Sequence, residues 1–192
     1  KNSELLAHGM AGEAVASGGL HADNIAPALF GGIILIRSYE PLDVLNLPVP
    51  KNLFSTAVLP DFSVNTLDAR RMLPKQVSLK SAVEQAGNLA GFTLGLHKSD
   101  FDLLSRSMVD LFAEPVRAEL IPGYKSVRQS AIDAGAIGCG ISGSGPAIFA
   151  LSDSIETAEK IGLIMVNTFK NAGLESTAYS TPIHTKPPEI LD

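Results

Sequence analysis

The chain of 192 residues is long enough to bury one sizeable core or two smaller ones. Its formal net charge of -5 and the absence of any Lys/Arg run argue against the basic stripe of a nucleic-acid-binding protein. The single cysteine, Cys139, excludes an internal disulfide framework and a cysteine-rich zinc site, and favours a cytoplasmic location. No apolar run approaches the ~20 residues of a membrane-spanning helix, and no signal peptide opens the chain. We therefore expect a protein that binds neither nucleic acid nor membrane.

The first part of the chain predicts two helices and a strand. Residues 3–16 are predicted to form a helix, and Asp23 is a suitable N-cap for a short helix over residues 24–29. The β-branched run over residues 33–38 predicts a strand. Three prolines follow within a short connector, a composition typical of a boundary between domains. We therefore expect two domains, residues 1–40 and residues 41–192.

The second domain predicts alternating strands and helices. Strands are expected over residues 54–59, 137–141, 147–151 and 176–183, and helices over residues 66–72 (capped by Ser63 or Asn65), 78–97, 100–108, 109–113, 124–134 and 155–171. Helical spacing puts six apolar residues on the inward face of the long helix over 78–97, namely Leu79, Val83, Ala86, Leu89, Ala90 and Leu94. The order strand, helices, strand, strand, helix, strand predicts an α+β fold, a ferredoxin-like βαββαβ sandwich with extra helices in its first crossover.

A glycine cluster over residues 138–146, GCGISGSGP, lies between the two central strands. It contains the spacing G-x-G-x-x-G, but the dinucleotide fingerprint needs a helix after the loop. Here Pro146 and the apolar run AIFAL predict a second strand instead. Neither Ser142 nor Ser144 fits the G-x-S-x-G pattern of a nucleophile elbow. Taken alone, the cluster is as compatible with a hairpin that binds nothing as with a ligand loop.

Four motifs in the same order resemble a known family. ISGSGP followed by an apolar strand resembles the third signature motif of the GHMP small-molecule kinases, in which this loop lies beside the nucleotide phosphates and the substrate. The segment HADNIAPALFGG, residues 21–32, resembles more narrowly the homoserine kinase branch. The remaining two motifs are Thr66-x-x-Ala69-Arg70 with Leu73-Pro74 after it, and Glu114-Pro115-x-Arg117 with Leu120-Ile121-Pro122 after it. The resemblance implies that residues 1–40 end the family's N-terminal domain and residues 41–192 form its C-terminal domain.

The resemblance also implies a reaction and its contacts. The family transfers the γ-phosphoryl group of ATP to the side-chain hydroxyl of L-homoserine. Arg70 and Arg117 would hold the amino-acid carboxylate, for which the planar guanidinium fork is suited, and Thr66 would add a hydroxyl contact. His21 and Gly143 would line the substrate site. The nucleotide would be bound by the loop residues Ser142, Gly143, Ser144 and Gly145, and Glu13 would ligate its Mg²⁺.

Each of these assignments has a structural alternative. Either arginine could form an ordinary surface ion pair, Glu13 could be a solvated residue on a helix face, and His21 could be a structural loop residue. Asp23 is better explained as a cap than as a base, so the general base is left unassigned. Cys139 is expected to be a small buried side chain.

One expected feature does not occur in the sequence. The family's nucleotide-binding loop, of the type P-G-x-G-L-G-S-S at a helix N-terminus, is absent, and such N–H groups are what hold a triphosphate. We therefore expect that this polypeptide alone neither binds ATP tightly nor turns over. Residues 33–36 would then form an unpaired strand edge, which favours a homodimer. The alternatives are another GHMP kinase, such as a mevalonate-type enzyme, or a non-catalytic ferredoxin-like module that binds an amino acid, regulates or oligomerises.

Overall fold

The computed structural model describes residues 2–17 and 21–189 of the chain. It divides into two compact units. The first unit takes the residues up to Val49 together with those from Ile183 onward, and the second is Pro50–Pro182. The division therefore follows Val49 instead of residue 40, and the last segment groups with the first unit.

The first unit contains two helices and a hairpin. These elements are α1 (Asn2–Ser17), α2 (Ile25–Phe30), β1 (Ile33–Tyr39) and β2 (Leu42–Leu47). Leu6, Met10, Ala22 and Ala26 form its buried cluster. The expectation that Asp23 caps α2 is wrong, because Asn24 is the residue at the cap and its side chain makes no capping hydrogen bond. The N–H of Ala26 instead donates to the carbonyl of Ala22, at 2.7 Å.

The connector after β1 contains a strand that was not predicted. Leu42–Leu47 pairs antiparallel with β1, from Ile33 opposite Leu47 to Tyr39 opposite Leu42. An ion pair between Arg37 and Asp43 joins the two strands. The expectation that residues 33–36 have an unpaired edge is therefore wrong for the side that faces β2. Formation of a homodimer stays a prediction.

The second unit is built on one antiparallel sheet of four strands. The strands are β3 (Phe54–Pro60), β4 (Gly138–Ile141), β5 (Ile148–Ser152) and β6 (Ser176–Pro182), in the order β4-β5-β3-β6. Counted within the unit, the first and third strands lie side by side at the centre and the second and fourth lie at the edges. This is the order of a ferredoxin-like βαββαβ fold, and the predicted α+β class is confirmed.

The crossovers of the second unit carry six α-helices within the described residues. They are α3 (Thr66–Arg71), α4 (Leu79–Lys98), α5 (Phe101–Ser107), α6 (Glu114–Arg117), α7 (Tyr124–Asp133) and α8 (Ile155–Asn171). Helix α8 has the predicted bounds, and its residues Ile161, Met165 and Phe169 are fully buried. Helices α7 and α8 pack against each other and against the sheet, and thereby close the main core of the unit.

The helix expected over residues 109–113 is wrong. These residues form an irregular segment, and the helix begins only at Glu114, with Pro115 in its first turn. A proline is tolerated there because the first N–H groups of a helix have no partner within it. Pro115 therefore lies in the first turn of a short helix instead of ending a longer one.

Helix α4 has the predicted length but not the predicted inward face. Leu79 is 80% exposed and Val83 is 65% exposed, and Leu89 and Leu94 are also exposed. The buried positions of the helix are Gly95 and Leu96. A Cβ atom on Gly95 would lie 2.9 Å from the side chain of Leu104 on α5, so the two helices approach each other closely through a glycine. The contact with α5 is thus made at a residue without a side chain, which a count of large apolar positions does not detect.

We expect that Gly95→Ala destabilises the second unit. The added methyl group would collide with Leu104, and overpacking of this kind costs about 1–3 kcal/mol. Gly87→Ala on the same helix is the matched control, because a Cβ there meets nothing within 4 Å. Since alanine is the better helix former, the control should gain up to about 1 kcal/mol. Denaturant unfolding followed by circular dichroism measures both, and equal effects of the two substitutions would contradict the packing described.

Cys139 is confirmed as a buried side chain. It lies on β4 and is 1% exposed. The pKa of its thiol is raised to about 12, chiefly by burial, while the Arg128 guanidinium acts in the opposite direction and the Glu114 carboxylate adds a smaller rise. Since the thiolate is the reactive form, the native thiol is poorly reactive.

In the described part of the chain no helix has the length and apolarity needed to cross a membrane.

We expect that Cys139 resists alkylation in the native protein. At about pH 8 an unperturbed cysteine is partly thiolate and reacts with iodoacetamide, whereas this thiol stays protonated and covered. Mass spectrometry should find the native chain unmodified and the denatured chain fully modified. Rapid modification of the native chain would show that β4 does not bury the side chain as described.

Candidate functional site

The glycine loop between β4 and β5 forms a tight turn. The N–H of Ser142 donates to the carbonyl of Ala147 at 2.8 Å, and the N–H of Gly145 donates to the carbonyl of Ser142 at 2.9 Å. Gly143 and Gly145 have φ values of +56° and +84°, which side chains other than glycine adopt with strain. The loop leads directly into β5, so the predicted strand–loop–strand is confirmed and the dinucleotide fingerprint is excluded.

The tip of this loop is open. A Cβ atom on Gly143 would meet nothing within 4 Å. Within the described residues, the N–H groups of Gly143 and Ser144 donate no hydrogen bond to another group. Successive free backbone N–H groups in a turn are a suitable surface for an anion.

Arg117 joins the short helix α6 to the glycine loop. It is the last residue of α6, and its Nη1 donates to the carbonyl of Gly143 at 2.8 Å. Its Nε is buried and makes no hydrogen bond within the described part of the chain. A guanidinium group has five N–H donors in a rigid fork, so an arginine anchored at one nitrogen keeps donors for a ligand.

Helix α3 brings a second motif to the same loop. The hydroxyl oxygens of Thr66 and Ser144 lie 3.4 Å apart. Thr66 begins the helix, and the side chain of Asn65 caps it by accepting from the N–H groups of Leu67 and Asp68 at 2.9 and 3.2 Å. Arg70 lies four residues after Thr66, which places both on one side of the helix, and Arg70 is half-buried.

The second unit thus brings together four of the predicted residues, namely Thr66, Arg117, Gly143 and Ser144. Ser142 and Gly145 belong to the same loop. His21 and Glu13 belong to the first unit. The Nε2 atom of His21 is buried and has no hydrogen-bond partner among the described residues, and Glu13 is half-buried on α1. The roles assigned to these residues stay predictions.

A cavity of about 310 Å³ lies beside Arg117 and Gly143. Both polar and apolar side chains line the cavity, and the apolar ones include Phe92, Met108 and Phe149. The polar lining includes four residues that the sequence reasoning did not select for the site, namely Gln85, Asn88, Asp110 and Glu114. Glu114 belongs to one of the four sequence motifs, but no role was assigned to it. The spacing of Gln85 and Asn88, three residues apart on a helix, was the available signal.

A charged cluster surrounds Glu114, which lies in the wall of this cavity. Glu114 Oε1 lies 3.1 Å from Arg128 Nε as an ion pair, although the N–H of that nitrogen is not aligned for a hydrogen bond. Tyr124 is 3% exposed. Burial raises the pKa of its hydroxyl far above the usual range, and the neighbouring Glu114 carboxylate raises it further, so the hydroxyl stays neutral. The cluster connects α6 to α7.

The chain is similar to known proteins along most of its length. Residues 93–171 match the family model described as GHMP kinases C terminal. The homoserine kinase of Chlorobaculum tepidum is 47% identical over 190 residues, which is 98% of this chain and 59% of that protein. The homoserine kinase of Arabidopsis thaliana is 41% identical over 181 residues, which is 92% of this chain and 49% of that protein.

The structural comparison extends over the whole chain. The crystal structure of homoserine kinase from Cytophaga hutchinsonii matches with a TM-score of 0.96 and 49% identity, covering 100% of this chain and 61% of that one. A mevalonate kinase from L. major, 19% identical with a TM-score of 0.64, shares the fold alone. The chain spans about three fifths of the length of the Chlorobaculum and Cytophaga proteins and about half of the Arabidopsis protein. Over almost its whole length the chain is similar to homoserine kinases, and residues 93–171 are similar to the C-terminal domain of the GHMP kinases.

Proposed function

We propose that the full-length protein transfers the γ-phosphoryl group of ATP to the side-chain hydroxyl of L-homoserine, as the names of its relatives indicate for them. The observation that carries the proposal is the 2.8 Å hydrogen bond from Arg117 to Gly143, because it joins two motifs that the sequence analysis assigned to the same substrate. The reaction forms a bond between phosphorus and the homoserine oxygen and breaks the bond to ADP, and the hydroxyl proton is released.

The substrate carboxylate is assigned to Arg117 and Arg70. The buried Nε of Arg117 lacks a hydrogen-bond partner in the described residues, and a carboxylate would supply one. Thr66, 3.4 Å from Ser144, would add a hydroxyl contact at the edge of the same loop. His21 is assigned to the substrate by its motif, and its buried Nε2 has no hydrogen-bond partner among the described residues. No side chain is assigned as a general base, so positioning carries most of the catalysis.

The residues of the glycine loop fit a phosphate group. The open space at Gly143 and the N–H groups of Gly143 and Ser144 give an anion an approach to the main chain. Ser142 and Gly145 shape the turn that presents these groups. The main triphosphate contacts of the family belong to a loop that this sequence does not contain. We therefore propose that the 192-residue polypeptide alone does not turn over.

Glu13 is assigned to Mg²⁺ as a single carboxylate ligand. The described residues contain no group of three or more His, Cys, Asp or Glu side chains that could hold a metal ion. Mg²⁺ keeps several waters and takes phosphate oxygens for the rest of its shell, so a single carboxylate is a sufficient protein ligand. When bound, the ion would neutralise charge on the phosphate oxygens.

We also propose a cytoplasmic location, because the one cysteine is an unpaired buried thiol.

We expect that Arg117→Ala in the full-length protein raises the KM for L-homoserine by about 10- to 100-fold, since a hydrogen bond to a charged group contributes about 1.5–3 kcal/mol. The KM for ATP should change little, because the arginine is assigned to the amino acid. Steady-state kinetics with each substrate varied in turn measures both constants.

Arg71→Ala is the matched control for this substitution. Arg71 lies on α3 beside Arg70, its side chain is 78% exposed, and its ion pair with Asp68 spans 3.3 Å at the surface. Such a pair contributes little, so both KM values should be unchanged. An unchanged KM for homoserine in Arg117→Ala, with the protein folded, would overturn the substrate assignment.

A further inference from the structure

We propose that Asp110 is a positioning residue, which sets the place of Arg117 by organising the start of helix α6. The inference rests on the proposed function, because it takes Arg117 as the group that holds the substrate carboxylate. Asp110 belongs to none of the four motifs in the sequence. It lies in the segment of residues 109–113, where a helix was expected and none forms.

The carboxylate of Asp110 accepts three backbone N–H groups. Its Oδ1 accepts from Phe112 at 2.7 Å and from Ala113 at 2.9 Å, and its Oδ2 accepts from Glu114 at 3.0 Å. The first N–H groups of a helix have no partner within it, so one side chain satisfies the group of donors from which α6 starts. The negative charge also lies at the positive end of the helix dipole.

Helix α6 is too short to hold its own position. It has four residues, whereas isolated helices become stable only at about 12–15 residues. Its residues Ala113 and Glu114, at the beginning, are held by Asp110, and Arg117, at the end, is held by Gly143. Loss of the first attachment therefore leaves the helix to the Gly143 contact at its end and the ion pair of Glu114 with Arg128.

Helix α4 fixes the segment that carries Asp110. Gln85 Oε1 accepts from the N–H of Leu111 at 2.9 Å, and Asn88 Nδ2 donates to the carbonyl of Val109 at 3.3 Å. The two bonds hold the residues on either side of Asp110 against a helix of 20 residues. The long helix thus supports the short one through Asp110, which transmits the position of α4 to Arg117.

The geometry favours an indirect role for Asp110 over direct substrate contact. Asp110 lies in the wall of the 310 Å³ cavity, but both of its oxygens are already hydrogen-bonded to the main chain. Asp110 therefore acts through the backbone.

The test compares three substitutions in the full-length protein. Asp110→Ala removes all three bonds, Asp110→Asn keeps an oxygen that can accept from Phe112 and Ala113, and Ser154→Ala removes the N-cap of α8, whose Oγ accepts from Thr157 at 3.1 Å. Ser154→Ala is the matched control, because it also deletes a helix cap in the second unit but belongs to neither the cavity nor the glycine loop. Denaturant unfolding gives the loss of stability for each variant.

We expect that Asp110→Ala raises the KM for L-homoserine by about 3- to 30-fold, the range that corresponds to the loss of a helix cap, with a smaller change in kcat. Asp110→Asn should give a smaller rise. Ser154→Ala should lose comparable stability with no change in the KM for homoserine. A general loss of stability affects all variants alike, whereas misplacement of Arg117 affects the KM only in the Asp110 variants.

Three results would each overturn part of this proposal. If Arg117→Ala raises the KM for homoserine and both Asp110 variants behave as Ser154→Ala does, the positioning role of Asp110 is wrong while the proposed function stands. If Arg117→Ala itself leaves that KM unchanged, the proposed function fails first. If Asp110→Ala does not fold, the KM of Asp110→Asn decides, and a value equal to that of the unsubstituted protein overturns the positioning role.

Discussion

The hydrogen bond from Arg117 to the carbonyl of Gly143 is the contact on which the site of the second unit depends. It connects residues 26 positions apart in the chain, and it joins a short helix to a glycine turn, neither of which has a core of its own. The turn keeps its shape through backbone bonds at Ser142 and Gly145, while the helix depends on its two ends. A carboxylate ligand would therefore meet an arginine whose direction is fixed before binding, which lowers the ordering cost of association.

The parts of the fold that the sequence predicted correctly are those in which the hydrophobic pattern coincides with burial. Helix α8 has the predicted bounds, because its Ile161, Met165 and Phe169 are large, regularly spaced and fully buried. The strands around the glycine cluster were predicted for the same reason, and their number and order were sufficient for the ferredoxin-like topology. Strand β2 was missed, since flanking prolines outweighed its alternating apolar residues.

Helix α4 shows why burial does not follow from hydrophobicity alone. Its large residues were expected inside, but the face that packs on α5 is formed around Gly95, and Leu79 and Val83 lie in solvent. Close approach of two helix backbones requires small residues at the contact, so the packed stripe is the less hydrophobic one. A pattern of large apolar residues predicts that a helix forms, and it predicts the buried face only where side chains fill the space between elements.

In the candidate site, too, some residues could be identified from the sequence and others only from the tertiary structure. Arg117 and Gly143 were selected because each belongs to a motif that resembles a known family, and the structure brings the two motifs into contact. Asp110, Gln85 and Asn88 were not found, because they bind main-chain groups. A main-chain partner carries no residue identity, so such a contact leaves no paired signal in a single sequence. The supporting residues of a site therefore become visible only when the backbone is placed, and a short helix between two loops, such as α6, is where they are most needed.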